Sequence, residues 1–178
     1  MNLKYLIIAF GVFSIVACNK EKGNDVTNES LKSNKKSTSK QSSKDETIPF
    51  LQQQLAKMNY QQEAFKIGKE RLVDLSVKDY INSQDSEIKN LIKDYETMFL
   101  EKSGNSYKDA NIYKNELYKL SIADAKDFDN IFIKYYKDFL STSVKELGAL
   151  ELHNEKVNGL KNAYGNLLYD QNLFFSIK

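Results

Sequence analysis

The stretch TIPFLQQQLAKMNYQQEAFKIGKERLVDL, residues 47–75, decides the fold. Its apolar side chains Leu51, Leu55, Met58, Phe65 and Leu72 recur at steps of three, four and seven, which places them on one face of an α-helix and on no face of a strand. Thr47 offers a capping hydroxyl. Pro49 falls inside the first turn, where a missing N–H costs nothing, so the helix is expected to run from Ile48 to about Leu75. The same period continues outward. Val77, Ile81, Gln84, Ile88, Leu91, Tyr95 and Met98 form a second stripe beginning near Ser76, and Ser103-Gly104-Asn105-Ser106 breaks it.

A short helix over Lys108–Lys119 is expected next, with Ile112, Leu117 and Leu120 inward. Ser121-Ile122-Ala123-Asp124 reads as a capping box before a long helix from Asp124 to about His153, carrying Phe128, Ile131, Phe132, Tyr135, Phe139, Leu147 and Leu150. Asn154 is placed to cap a last helix with Val157, Leu160, Tyr164, Leu167, Gln171 and Phe174. In the pairs Tyr135-Tyr136 and Phe174-Phe175, one ring points inward and its neighbour lies near the edge. No stretch alternates as a half-buried strand does, and one proline with seven glycines suits helices better than a turn-rich sandwich. The expectation is an all-α domain over residues 48–178: four main helices packed antiparallel, with a short connecting one.

Upstream, the chain reads as targeting sequence and tether. Lys4 supplies a positive start and Leu6–Phe13 an apolar core; Ser14-Ile15-Val16-Ala17-Cys18 then closes a secretory signal covering residues 1–17. The apolar run Tyr5–Ala17 is shorter than the ~20 residues a spanning helix needs. Ile15-Val16-Ala17-Cys18 resembles the bacterial lipobox, with Ile where Leu is usual. That resemblance implies cleavage before Cys18 and a lipid on its sulfur. Cys18 is the only cysteine, which excludes an intramolecular disulfide. Residues 18–47 then read as a lipidated cysteine followed by a disordered tether, rich in Lys, Ser, Asn, Thr and Glu and too poor in apolar surface to fold. The partner implied is a membrane, reached through Cys18. Asn19 carries no Asp-type retention signal, which favours an outer membrane, facing the periplasm or the surface.

Charge excludes one class of partner. Residues 48–178 hold 18 Lys and Arg against 19 Asp and Glu, without the basic excess that a phosphate backbone requires, so no nucleic acid is expected. No catalytic constellation, cofactor motif or metal ligand set emerges. Nothing has Glu-x-x-His spacing, the single histidine, His153, sits at an expected helix end, and no glycine-rich phosphate loop is present.

Phe50-Leu51, Glu63, Gly68 and Val77-Lys78-Asp79-Tyr80, with Leu120-Ser121 and Lys126-Asp127-Phe128-Asp129-Asn130-Ile131-Phe132-Ile133, are similar to an uncharacterised ferritin-like family of bacterial periplasmic proteins. The resemblance implies a ferritin-like four-helix domain. It also implies histidines inside the bundle, and there this chain departs: the corresponding positions fall at Phe139 or Leu140, near Gln84 or Ile88, and near Gln171. Gln84 and Gln171 each interrupt an apolar stripe. They fit a register-fixing hydrogen bond across the seam, the lining of a small cavity, or a seam-edge location. The function expected is a lipid-anchored, non-enzymatic structural or binding module of the cell envelope. A metal-binding ferritin-like protein and a surface adhesin or inhibitor that contacts another protein are the alternatives.

Overall fold

The computed structural model describes residues 46–178. The signal segment, Cys18 and nearly all of the tether therefore lie outside the described residues. The chain is all-α: α1 spans Thr47–Arg71, α2 Leu75–Ser103, α3 Lys114–Ser121, α4 Phe128–Gly148 and α5 Glu155–Ser176, with no strand among the described residues.

α1 begins at Thr47 itself, with Glu46 in the cap position and no side-chain capping bond. Its first backbone bond, Phe50 N–H to Glu46 O at 3.0 Å, spans Pro49, whose absent donor is not missed. The helix stops four residues short of the expected Leu75. Leu72 is already extended (φ −63°, ψ 137°), and Asp74 caps α2, its Oδ1 accepting from Ser76 N–H at 2.9 Å and Val77 N–H at 3.2 Å. The donors freed by this break are taken up from a distance. Asp129 of α4 accepts from Val73 N–H at 3.0 Å and Asp74 N–H at 2.6 Å. A strong capping carboxylate and a remote acceptor together outweigh three more residues of helix.

Ser76 and the Val77 N–H, with Lys178 behind them, hold the Asp74 carboxyl down at about 2 from its ordinary 3.8. A carboxylate depressed in the folded state adds stability above its unfolded pKa and loses it as pH falls from about 4 through about 2. Asp74→Asn keeps a capping acceptor but cannot titrate, so its stability should fall less steeply than that of the wild type across this window. Acid unfolding followed by circular dichroism checks this; parallel curves would rule out the linkage.

α2 ends where the glycine predicts: Gly104 is left-handed (φ 70°) and its N–H closes on Leu100 O at 2.9 Å. α3 is shorter than expected, because Asp109 draws the backbone into a turn by accepting from Asn111 N–H at 2.9 Å. Ile112, expected inward, is exposed, while Leu120 is buried. The capping box expected at Ser121–Asp124 does not form. Ser121 is the last residue of α3 and its hydroxyl donates to Tyr118 O; Asp124 instead accepts from Lys126 N–H in a turn that delays α4 to Phe128. Asn154 does cap α5, through Val157 N–H at 3.2 Å.

α1 packs on α2 and α4, α5 packs on α4 and α2, and α3 lies along α1 and α4. Directions follow from ring and backbone meetings. Phe50 meets Tyr95 whereas Gly68 abuts Ile81, so α1 and α2 run oppositely. Gly68 abuts Phe132 whereas Lys57 meets Glu146, so α1 and α4 do too. α2 and α4 consequently run the same way, and residues 104–127 carry the chain from one end of the helices to the other. Gly68 sets the spacing: a Cβ there would stand 2.9 Å from Phe132 Cε2 and 3.0 Å from Ile81 Cδ1. The core holds Phe65, Phe128, Phe132, Tyr136 and Phe175, each buried, with Phe132 and Tyr136 stacked at 5.9 Å.

Candidate functional site

The feature that sets this interior apart is polar. Gln61 of α1, Tyr136 of α4, and Tyr164 and Gln171 of α5 are all buried, and they bond one another across the centre of the helices. Gln61 Nε2 donates to Tyr136 Oη at 2.7 Å and to Gln171 Oε1 at 2.8 Å. Tyr164 Oη donates to Gln61 Oε1 at 2.9 Å, and Tyr136 Oη donates to Gln171 Oε1 at 2.9 Å. From Gln171, Nε2 reaches half-buried Gln84 Oε1 of α2 at 3.4 Å. Four helices are thereby joined through one network. Both N–H groups of Gln61 and its carbonyl have partners, the condition under which a buried polar group is tolerated.

Burial pushes both phenols, Tyr136 and Tyr164, well above their ordinary pKa; for Tyr136 the Gln61 bond pulls the other way. Each phenol thus stays a donor. The network holds no charge and no nucleophile, and its chemistry is mutual hydrogen bonding.

Gln84 and Gln171, the two polar interruptions visible in the sequence, are brought together here. Gln61, Tyr136 and Tyr164 complete the cluster and were not singled out. A signal existed: Leu51, Met58, Phe65 and Leu72 are spaced by sevens, and Gln54, Gln61 and Gly68 fill the alternate seam positions between them. On α4 the inward ring is Tyr136, while Tyr135, expected inward, is half-buried; on α5 it is Phe175, with Phe174 at the edge stacked 3.7 Å from Tyr80. α4 starts at Phe128, and Phe128, Phe132, Tyr136 and Leu140 then follow at steps of four.

A di-metal centre of the ferritin kind does not fit these residues. Among the described residues no three of His, Cys, Asp and Glu converge, and the positions where the resemblance would put histidines hold Phe139, Leu140, Gln84, Ile88 and Gln171. Glutamine amides already paired with phenols are not the anionic donor set such a centre uses. His153 is exposed between α4 and α5.

At the rim, buried Lys57 pairs with Glu146 at 2.6 Å and Gln53 supports the same carboxylate at 3.3 Å, closing the seam between α1 and α4. Arg71, at the end of α1, donates to the carbonyls of Leu120, Ser121 and Ala123 and lies 4.3 Å over the Phe128 ring. Among the described residues no helix is long and apolar enough to cross a membrane. Comparison with protein-family models, curated proteins and solved structures finds no match for this chain.

Proposed function

We propose that this chain is a lipid-anchored protein of the cell envelope whose helical domain is a non-enzymatic structural or binding module, an antiparallel four-helix bundle with ferritin-like connectivity. The bundle reading is supported by neighbouring helices that run oppositely and by the single crossover, residues 104–127, between α2 and α4. The non-enzymatic reading rests on the Gln61–Tyr136–Tyr164–Gln171 network: its polar groups face one another rather than an open cleft, so no reacting group is presented.

The anchor is carried by one observation, a lone Cys18 directly after the apolar run Tyr5–Ala17 and before a polar segment. Two or more acyl chains, at ~0.8 kcal/mol per buried CH₂, hold a protein firmly where one does not. Wild-type protein is expected to incorporate labelled palmitate and enter the detergent phase on phase separation; Cys18→Ala should lose the label. Equal labelling of both would remove the anchor.

A second reading, recognition of another protein, is favoured by the end of the helices opposite Thr47. Val73 (78% exposed), Leu75 and Ile177 (82% exposed) stand in solvent, and Lys178 bonded to Asp74 at 3.2 Å holds the last residues beside the α1–α2 break. Apolar residues presented together on a braced turn are a usual mark of a contact surface. Val73→Glu with Ile177→Glu should abolish capture of a partner from envelope extracts at unchanged thermal stability. Capture unaffected by both changes would direct the search elsewhere.

A further inference from the structure

We propose that the interior between α1, α2 and α4 contains a second polar site, a hydration site in which water is held by Gln54, Ser143 and Tyr95. All three side chains are buried, and neither amide atom of Gln54, nor Tyr95 Oη, nor Ser143 Oγ has a hydrogen-bond partner in the protein. That is the opposite condition to the Gln61 network, where each group of the central glutamine is matched.

Register brings the three together. Gln54 lies two turns before Gln61 on α1, and Ser143 lies two turns beyond Tyr136 on α4. Gln61 bonds Tyr136 and the two helices run oppositely, so the two displacements carry Gln54 and Ser143 to the same level. Gln53 and Lys57, which flank Gln54, both reach Glu146, one turn from Ser143. From α2, Tyr95 packs on Phe50, one turn before Gln54, and meets Tyr164 edge-on at 6.3 Å.

The chemistry selects the occupant. Gln54 offers two donors and a carbonyl acceptor, while each hydroxyl can both give and receive. None of the three carries charge, so an ion would enter without a counter-charge, and an apolar occupant would leave all four atoms unmatched. A small neutral molecule that donates and accepts about three bonds is water, the usual partner of such buried groups. One molecule bridging the Gln54 amide and Ser143 Oγ, with Tyr95 donating to it, gives each of the four atoms a partner.

The wild-type full chain is itself the test. With ¹⁵N labelling, the Gln54 side-chain amide protons are expected to show dipolar cross-peaks to slowly exchanging water. A crystal structure of the wild type should place ordered water within hydrogen-bond distance of Gln54 and Ser143, lost in Gln54→Leu with Ser143→Ala. Direct pairing of the Gln54 amide with Ser143 or Tyr95, without water peaks or density, overturns the proposal. That outcome is read on the unmodified protein, so a variant that fails to fold does not obscure it.

Discussion

Gln61→Leu is expected to lower the unfolding free energy by about 3–5 kcal/mol, a large part of the ~5–15 kcal/mol that holds a domain folded. Leucine nearly fills the space glutamine leaves, so little of the loss comes from a cavity. The larger part is stranding. Tyr164 loses its acceptor, Gln61 Oε1 at 2.9 Å, and Tyr136 and Gln171 lose the donor that joined them to α1, although they keep their own 2.9 Å bond. Each buried polar group left unmatched costs about 1–3 kcal/mol, whereas removing both members of a pair can be nearly neutral. Tyr164→Phe in the Gln61→Leu background should therefore restore about 1–2 kcal/mol rather than subtract more. Chemical unfolding of the four proteins of this cycle measures it. Strict additivity of the two losses would mean that the bond contributes nothing.

Arg71→Ala is expected to cost about 2–4 kcal/mol, and the loss should be local. Its Nη1 donates to Leu120 O at 2.8 Å and Ser121 O at 2.6 Å, and Nη2 to Ala123 O at 2.5 Å. These carbonyls belong to the end of α3 and the turn after it, where a helix has no donors of its own and carries partial negative charge. One planar cation thus ties α1 to the crossover and covers Phe128 at 4.3 Å. Arg71→Lys should recover less than half, because an ammonium on a flexible stem lacks the spread of a guanidinium fork. Hydrogen exchange should show amides of α3 losing protection well before those of α1 and α2. Full rescue by lysine, or uniform loss along the chain, would contradict this account.

Much of the fold was legible because it is carried by local periodicity. The stripes of α2 and α5, the glycine stop at Gly104 and the cap at Asn154 need nothing outside their own segments. The break at Leu72-Val73-Asp74 was not legible. Apolar residues continue the pattern through it, and the acceptor that stabilises it, Asp129, lies 56 residues away. The start of α4 was misplaced for a related reason: Ser121 satisfies itself on Tyr118 O, and the carbonyls around it belong to Arg71. Of the polar layer, Gln84 and Gln171 stood out because apolar neighbours frame them. Gln54 and Gln61 did not, since a search for apolar recurrence counts a buried glutamine as a gap. Tyr136 was hidden by its twin: choosing between adjacent rings requires the phase of α4, and an error of one residue turns the helix by about 100°.

The ties across this interior are amides and phenols that do not ionise as the surroundings swing from neutral to mildly acidic. A bundle fastened by imidazoles would loosen or rearrange over that range. Here the central glutamine–tyrosine network keeps its pairing across that range, and sensitivity to strong acid is left to carboxylates outside it, among them Asp74 at the bend between the first two long helices.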